Sequence, residues 1–494
     1  MTFIWVFLPL SLVLFYLIDL TLKKYPGKKI GVQNYLLFGC SVLFYASGGL
    51  KSLLLLTLMI AATFIAGLCI GRSREQGNKS SAKRYLFLGV VVNLLLLAFF
   101  KYFNMFLTFV EIGRKSRSLA ELFYGVIKFE STGALDSLRI GLPLAISFTV
   151  FQSIAYLVDV YRGTVRSERN IGNFFLFIML FMQVVQGPIM RFGDLAPQFT
   201  QRYTNTDLFA NGVRRFSYGL AKKVMIANTL AVPVDLIWAQ DISKIGTALA
   251  WLGSIFYALQ IYYDFSGYSD MAVGIGLMFG FRIKENFAYP YTSLSTQEFW
   301  RRWHISLSQW FRDYLYIPLG GNRGGTRRTL WNITIVFLVT GIWHGANLTF
   351  LLWGLVFAAS QIFERQVLRN FFSCKSLKPL FWLWTFLVVT LNWVLFRAPN
   401  LYSAGQYYCQ MFSLTEGKSP LSWITFMDFK YVLAAFSGIV LCGFIQRAFE
   451  KELPLLRQGK VYPVIETLAS TLLLVGAIIL IIGGSYSPSI YGGF

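Results

Sequence analysis

The stretch Gly341-Ile342-Trp343-His344-Gly345-Ala346-Asn347 lies near the middle of an uncharged run, residues 330–363. At about 1.5 Å per residue the run is too long for one perpendicular crossing of roughly 30 Å of hydrocarbon. It is too short for two full crossings and a loop. A break is therefore expected near Gly341, Gly345 or Asn347, inside the membrane, where freed backbone groups need partners or water. The break carries His344, one of only two histidines in 494 residues. An ionisable side chain at membrane depth is costly and is by default a functional-site candidate. Imidazole also takes and gives protons near neutral pH. The plainer alternative is a core histidine bonded to a neighbouring helix. Trp343 offers a wall beside the ring and Asn347 a hydrogen-bonding group.

Upstream, residues 298–316 carry the second histidine. Trp300, Trp303, Leu307, Trp310, Phe311 and Tyr314 recur at three- and four-residue intervals, which predicts one amphipathic helix. Arg301, Arg302, Gln309, Arg312 and Asp313 fall on the opposite face, with His304 at the border. A tryptophan-rich face opposite basic residues describes a helix at the headgroup region. Pro318 and Gly320-Gly321 end it, and Arg323, Arg327 and Arg328 follow. These arginines serve either to anchor and orient the chain or to draw a phosphate-bearing donor to a cytoplasmic entrance. A third polar patch runs from Gln260 to Asp270 and includes Tyr263, Asp264 and Ser266. Carboxylates at membrane depth need partners, and Arg301, Arg302 or a histidine are the candidates. The patch reads equally as a structural network in a bent helix or as part of a site.

The rest of the chain fits an all-α, polytopic membrane protein. It is 55% hydrophobic, 17% aromatic and only 14% charged, with a mean hydropathy of +0.55; soluble chains are nearer one quarter charged. Candidate spans are 3–22, 35–47, 53–70, 85–100, 142–160, 174–189, 220–238, 248–263, 271–281, 330–343, 348–363, 380–396, 431–444 and 468–482. Several are short enough to be re-entrant, so about 11 full crossings are expected. The net charge of +22 gathers between spans, as topology signalling and anionic lipid require, and does not signal nucleic acid. Lys23, Lys24, Lys28 and Lys29 follow the first span, and Arg72, Arg74, Lys79, Lys83 and Arg84 the third. Both clusters should be cytoplasmic, with the N-terminus outside. The first span has no basic n-region or cleavage site and reads as retained. Residues 1–494 read as a single membrane-embedded domain, because no polar stretch is long enough for a soluble one. The five cysteines lie mostly in apolar segments and read as packing residues. No metal-ligand spacing is present, and no nucleic-acid module.

Several segments in order resemble the membrane-bound O-acyltransferase family, in its bacterial branch of alginate and peptidoglycan O-acetyltransferase membrane subunits. They are Leu142-Pro143-Leu144 with Tyr161-Arg162-Gly163, Gly187-Pro188-Ile189-Met190-Arg191, the 264–270 patch, Asn286-Phe287-Ala288-Tyr289-Pro290-Tyr291, residues 299–308, Pro318-Leu319-Gly320-Gly321, Trp343-His344-Gly345 and Phe396-Arg397-Ala398. The resemblance implies a funnel of helices around a tunnel, with core motifs over about 142–400. It implies His344 as catalytic and His304 as the second active-site residue, with roles that sequence does not separate. Arg301, Arg302, Trp303, Trp343, Asn347, Tyr263, Asp264, Ser266, Asp270 and Arg191 are the candidates for holding donor or substrate. It also implies an acyl donor, coenzyme A carrying acetyl, with no bound cofactor. The implied setting is a bacterial inner membrane with lipid around the chain, and a separate extracytoplasmic serine-type (SGNH-like) transferase as partner. Gly345-Ala346-Asn347 looks more like the acetylation branch than the teichoic-acid D-alanylation branch. Leu348 and the ending Ser489–Phe494 depart from the usual pattern. A proton-coupled transporter or flippase, using Asp264, Asp270 and the histidines as a relay, is the alternative outside the enzyme class.

Overall fold

A computed structural model describes residues 2–116, 118–129, 133, 135–138, 141, 143, 145–183, 187–372, 374–445 and 461–484. The described residues hold helices and no strand. Among the described residues seven helices are long and apolar enough to cross a membrane: Phe3–Thr21, Pro26–Ser47, Leu50–Glu75, Lys79–Lys115, Leu348–Leu368, Lys375–Arg397 and Tyr462–Ile482. Their lipid-facing sides carry exposed apolar residues such as Leu20, Leu58 and Leu472. This is a multi-pass membrane protein. The other expected spans are carried by shorter or more polar helices. Two of them are one: 248–263 and 271–281 lie in a single helix, Gly246–Met278, that runs through the Asp264–Asp270 patch without interruption. Residues Leu142, Leu144 and 485–494, quoted above, lie outside the described residues.

The chain divides into two compact units. The first comprises Met1–Phe100, Gly141–Phe216 and Ala272–Glu285. Arg202 ties its own loop to the Pro26–Ser47 helix: its guanidinium donates to Asn34 Oδ1 (3.0 Å) and Gln33 Oε1 (3.2 Å) and lies 4.4 Å from the Phe281 ring centre. The second comprises Lys101–Ile140, Ser217–Met271 and Asn286–Phe494. Its core is aromatic, with Tyr262, Phe265, Phe299, Trp303, Trp353 and Trp393 among its buried rings. Cys40 and Cys442 are packed inside as expected, but Cys374 and Cys409 are exposed, because both fall at helix surfaces or ends rather than in a core.

Within the second unit the 330–363 run folds as a helical hairpin. The Gly325–His344 helix ends at the histidine, and Asn347 caps the Leu348–Phe363 helix by accepting from Thr349 N at 3.2 Å. A methyl group on Gly341 would strike the Phe350 carbonyl, and one on Gly354 the Phe337 carbonyl. The two helices thus touch backbone to backbone, which only glycine at these positions permits.

The 298–316 segment differs from expectation. It is two short helices, Thr296–Arg302 and Ile305–Phe311, followed by a wide π turn, Arg312–Tyr316. His304 sits between the helices with φ of 43°, in the left-handed region. Its apolar face does not rest on lipid: Trp300, Trp303, Leu307, Trp310 and Phe311 are buried in the protein. The three- and four-residue spacing persists across the kink, so periodicity alone shows one helix.

Candidate active site

His344 is the last residue of its helix. Gly345, its C-cap, leaves the helix with φ of −172°, and Gly345 N makes a long bond to Gly341 O (3.4 Å). The imidazole is walled by rings: Trp353 at 4.9 Å and Phe396 at 5.2 Å, both edge-on, with Trp343 at 4.7 Å. The residue is 6% exposed. No described residue hydrogen-bonds to its ring, so neither nitrogen is committed to a protein partner. A histidine held by shape and not by hydrogen bonds can serve a substrate through either nitrogen.

His304 is held in the opposite way. Its Nδ1 is 3.2 Å from Asn286 Oδ1, which also accepts from Ser306 N (3.1 Å) and Ser306 Oγ (2.9 Å). The Ser306 amide is an obligate donor, so the Asn286 atom facing it is oxygen. The ring must therefore donate through Nδ1 and keep its lone pair on Nε2. Backbone bonds clamp the same junction on both sides of the kink, Ile305 N to Asn286 O and Ala288 N to Arg302 O, each 2.9 Å. Phe265 covers the ring edge-on at 4.7 Å.

The two imidazoles stand at opposite ends of one cluster of rings. An unbroken series of ring contacts joins them: Phe265–Trp303 (6.3 Å), Trp303–Trp393 (5.0 Å) and Trp393–Trp353 (6.4 Å). A cavity of about 390 Å³ lies alongside, lined by Trp300, Arg301, Leu307, Ser308, Phe311, Arg312, Thr340, Gln361 and Arg365 among others. Neither histidine lines it. Ser308 stands one helical turn after His304, and Thr340 one turn before His344. A second cavity of about 320 Å³ shares Gln297, Ile333, Gln361 and Arg365 with the first and adds Glu364 and Arg369. Between them the two cavities are lined by four arginines, Arg301, Arg312, Arg365 and Arg369, and the first also by apolar side chains such as Leu307, Phe311 and Val336.

The remaining candidate residues separate. Arg301 lines the cavity. Arg302 does not; it pairs with Glu298 at 2.9 Å and donates to Ala288 O at 3.1 Å. Trp303 belongs to the aromatic core, and Asn347 is a helix cap that also donates to Pro399 O. Tyr263 donates to Gly438 O at 2.7 Å. The partners expected for the aspartates are not the ones found. Asp264 pairs with Lys223 and Asp270 with Lys222 (2.6 Å), in place of Arg301, Arg302 or a histidine. The π turn Lys222–Asn228 presents both lysines to the neighbouring helix. Ser266 is buried, its Oγ without a partner among the described residues. Arg191 lies in the first unit, at the start of a four-residue helix, Phe192–Leu195. Among the described residues no three His, Cys, Asp or Glu side chains gather as a metal site.

Four residues escaped the sequence reading. Asn286 was visible only as part of a motif. Glu364 accepts from Thr296 N (2.8 Å), Thr296 Oγ1 (2.9 Å) and Trp384 Nε1 (3.1 Å), tying down the first of the two short helices. Lys101 donates to Trp343 O and Tyr102 to Ile342 O. Lys101 directly follows the expected span 85–100.

Residues 164–405 match the model of the "MBOAT, membrane-bound O-acyltransferase family". A protein of Azotobacter vinelandii named "Probable alginate O-acetylase AlgI" is 42% identical over 447 residues, covering 90% of this chain and 84% of its own. A peptidoglycan O-acetyltransferase of Helicobacter pylori is 36% identical, covering 81% and 77%. A teichoic acid D-alanyltransferase of Bacillus subtilis is 28% identical over 51% of this chain and 67% of its own. The chain is therefore an acyltransferase, and it belongs to the membrane-bound O-acyltransferase family.

Proposed function

We propose that this protein takes an acetyl group from a coenzyme A thioester on the cytoplasmic side and delivers it toward an extracytoplasmic acceptor. The observation that carries the reading is the pair of arginine-lined cavities, the first bounded by Ser308 and Thr340, which stand one helical turn from His304 and His344. Arg301, Arg312, Arg365 and Arg369 suit the phosphates of such a donor, and the apolar lining of the first cavity suits its pantetheine arm and acyl group. His344 acts as general base. It takes the acceptor hydroxyl's proton as the new C–O bond forms, and the proton passes to the thiolate as the C–S bond breaks. His304, with its lone pair on Nε2, accepts from the incoming hydroxyl or holds the returning proton.

The acceptor in this reading is a serine of a separate extracytoplasmic SGNH-like transferase, which then acetylates an envelope polysaccharide. A glycan-lipid hydroxyl is the second choice. The location is the bacterial inner membrane with the N-terminus outside. The basic clusters at Lys23–Lys29 and around Arg72–Arg84 fall at the same end of an up-and-down helix series, which supports that orientation. Both aspartates on which a proton relay would depend are engaged by lysines, which favours transfer over transport.

The test is thioester turnover by purified protein in nanodiscs with acetyl-coenzyme A. His344→Ala and His304→Ala should each lose on the order of 10² to 10⁴ in rate, the usual worth of positioned acid–base catalysis. Wild-type turnover by His344→Ala would end the general-base assignment. Turnover of a D-alanyl thioester carrier and not of acetyl-coenzyme A would move the protein to the other branch.

A further inference from the structure

We propose that Lys101 is a positioning residue for His344: it caps the broken end of the histidine's helix from a neighbouring helix and so fixes where the imidazole stands. The inference rests on the reading of His344 as the general base. A helix that stops inside a membrane leaves its last carbonyls without intrahelical donors, and hydrocarbon offers none. Here two of those carbonyls are served from outside. Lys101 Nζ donates to Trp343 O and the Tyr102 hydroxyl donates to Ile342 O.

Three observations single out Lys101. It belongs to a membrane-spanning helix, Lys79–Lys115, where a lysine is expensive. It pairs with no carboxylate among the described residues. Its Nζ also lies 5.3 Å from the Trp343 ring centre. A cation at the negative end of a helix, bonded to a carbonyl and facing an indole, is a favourable arrangement. Among the described residues no hydrogen bond holds the His344 ring. Its backbone anchor is therefore the main constraint besides the surrounding rings, and Lys101 supplies that anchor one residue away.

The experiment compares Lys101→Met, Lys101→Arg, Tyr102→Phe and the control Lys115→Met with wild type in the nanodisc thioester assay. Lys101→Met should lower kcat by about tenfold or more with KM within about twofold, as expected when a reacting group is displaced without loss of binding. Lys101→Arg should recover most of kcat, Tyr102→Phe should fall between, and Lys115→Met should match wild type. A second readout does not depend on turnover. In a His304→Asn background His344 is the sole histidine, so its carbethoxylation by diethylpyrocarbonate follows one ring. Lys101→Met should change that rate severalfold and Lys101→Arg should not. Unchanged kcat in Lys101→Met, or an unchanged labelling rate, overturns the proposal. If wild type fails to cleave the thioester, the donor assignment falls while the labelling still decides Lys101. Should Lys101→Met not accumulate in the membrane, Lys101→Gln takes its place in both measurements, and wild-type values there overturn the proposal equally.

Discussion

His304 and His344 solve one problem by different means. One ring is locked by hydrogen bonds through Asn286; the other is enclosed by Trp353, Phe396 and Trp343. A single asparagine oxygen accepts from His304, Ser306 N and Ser306 Oγ, so removing it frees the kink as well as the ring. Asn286→Ala is expected to lower kcat by about 100-fold, the scale of a misplacement near 1 Å, with normal membrane insertion; turnover beside a membrane-fraction blot checks both. His344 was legible because its signal is local: the glycines, the Asn347 cap and the length of the run all lie within a few residues. The kink at His304 was not, since the aromatic spacing continues across it and no proline or glycine marks it. Asn286 and Lys101 reach their partners across 18 and 242 positions, and no periodicity links them to the site.

At the scale of helices, membrane depth turns polar side chains into fasteners. Asp264 is buried against Lys223, and removing one partner strands the other charge, at a cost of about 3–5 kcal/mol. Asp264→Leu should therefore lower the melting temperature sharply, and Asp264→Leu with Lys223→Leu should regain much of the loss. A double-mutant cycle by thermal shift in detergent measures this. Sequence alone showed that these aspartates needed partners and named the wrong ones, because the π turn that presents Lys222 and Lys223 lies about 40 positions upstream. Glu364 acts as a fastener on the active-site helix. Glu364→Ala leaves Thr296 N without its acceptor, and a destabilisation of about 1–3 kcal/mol is expected, seen as faster hydrogen exchange over residues 296–302. The helical hairpin gives a steric counterpart: Gly354→Ala forces a methyl into the Phe337 carbonyl, and overpacking of this kind costs about 1–3 kcal/mol.

Over the whole molecule, membrane character and helical class were plain from composition, while individual spans were not. The Gly246–Met278 helix shows why: a hydropathy reading splits it at charges that the folded chain neutralises laterally. The Lys79–Lys115 helix was underestimated because it continues well past its apolar stretch. Orientation makes a prediction at this scale. Single cysteines at Lys28 and Lys83, in a background lacking the native cysteines, should react with a membrane-impermeant maleimide only after the inner face is opened. A cysteine at Ser47 should react in intact cells; the reverse pattern would invert the topology. The backbone contact at Gly341 and Gly354 has a further consequence. A hairpin already closed to the width of bare peptide cannot be widened or narrowed by exchanging side chains there, so it offers no dial for adapting the enzyme to a bulkier acyl chain. On the proposed donor reading such adaptation is to be sought in the side chains that line the cavity, at Leu307, Ser308, Phe311 and Thr340, and those are the positions to randomise when selecting for a new donor.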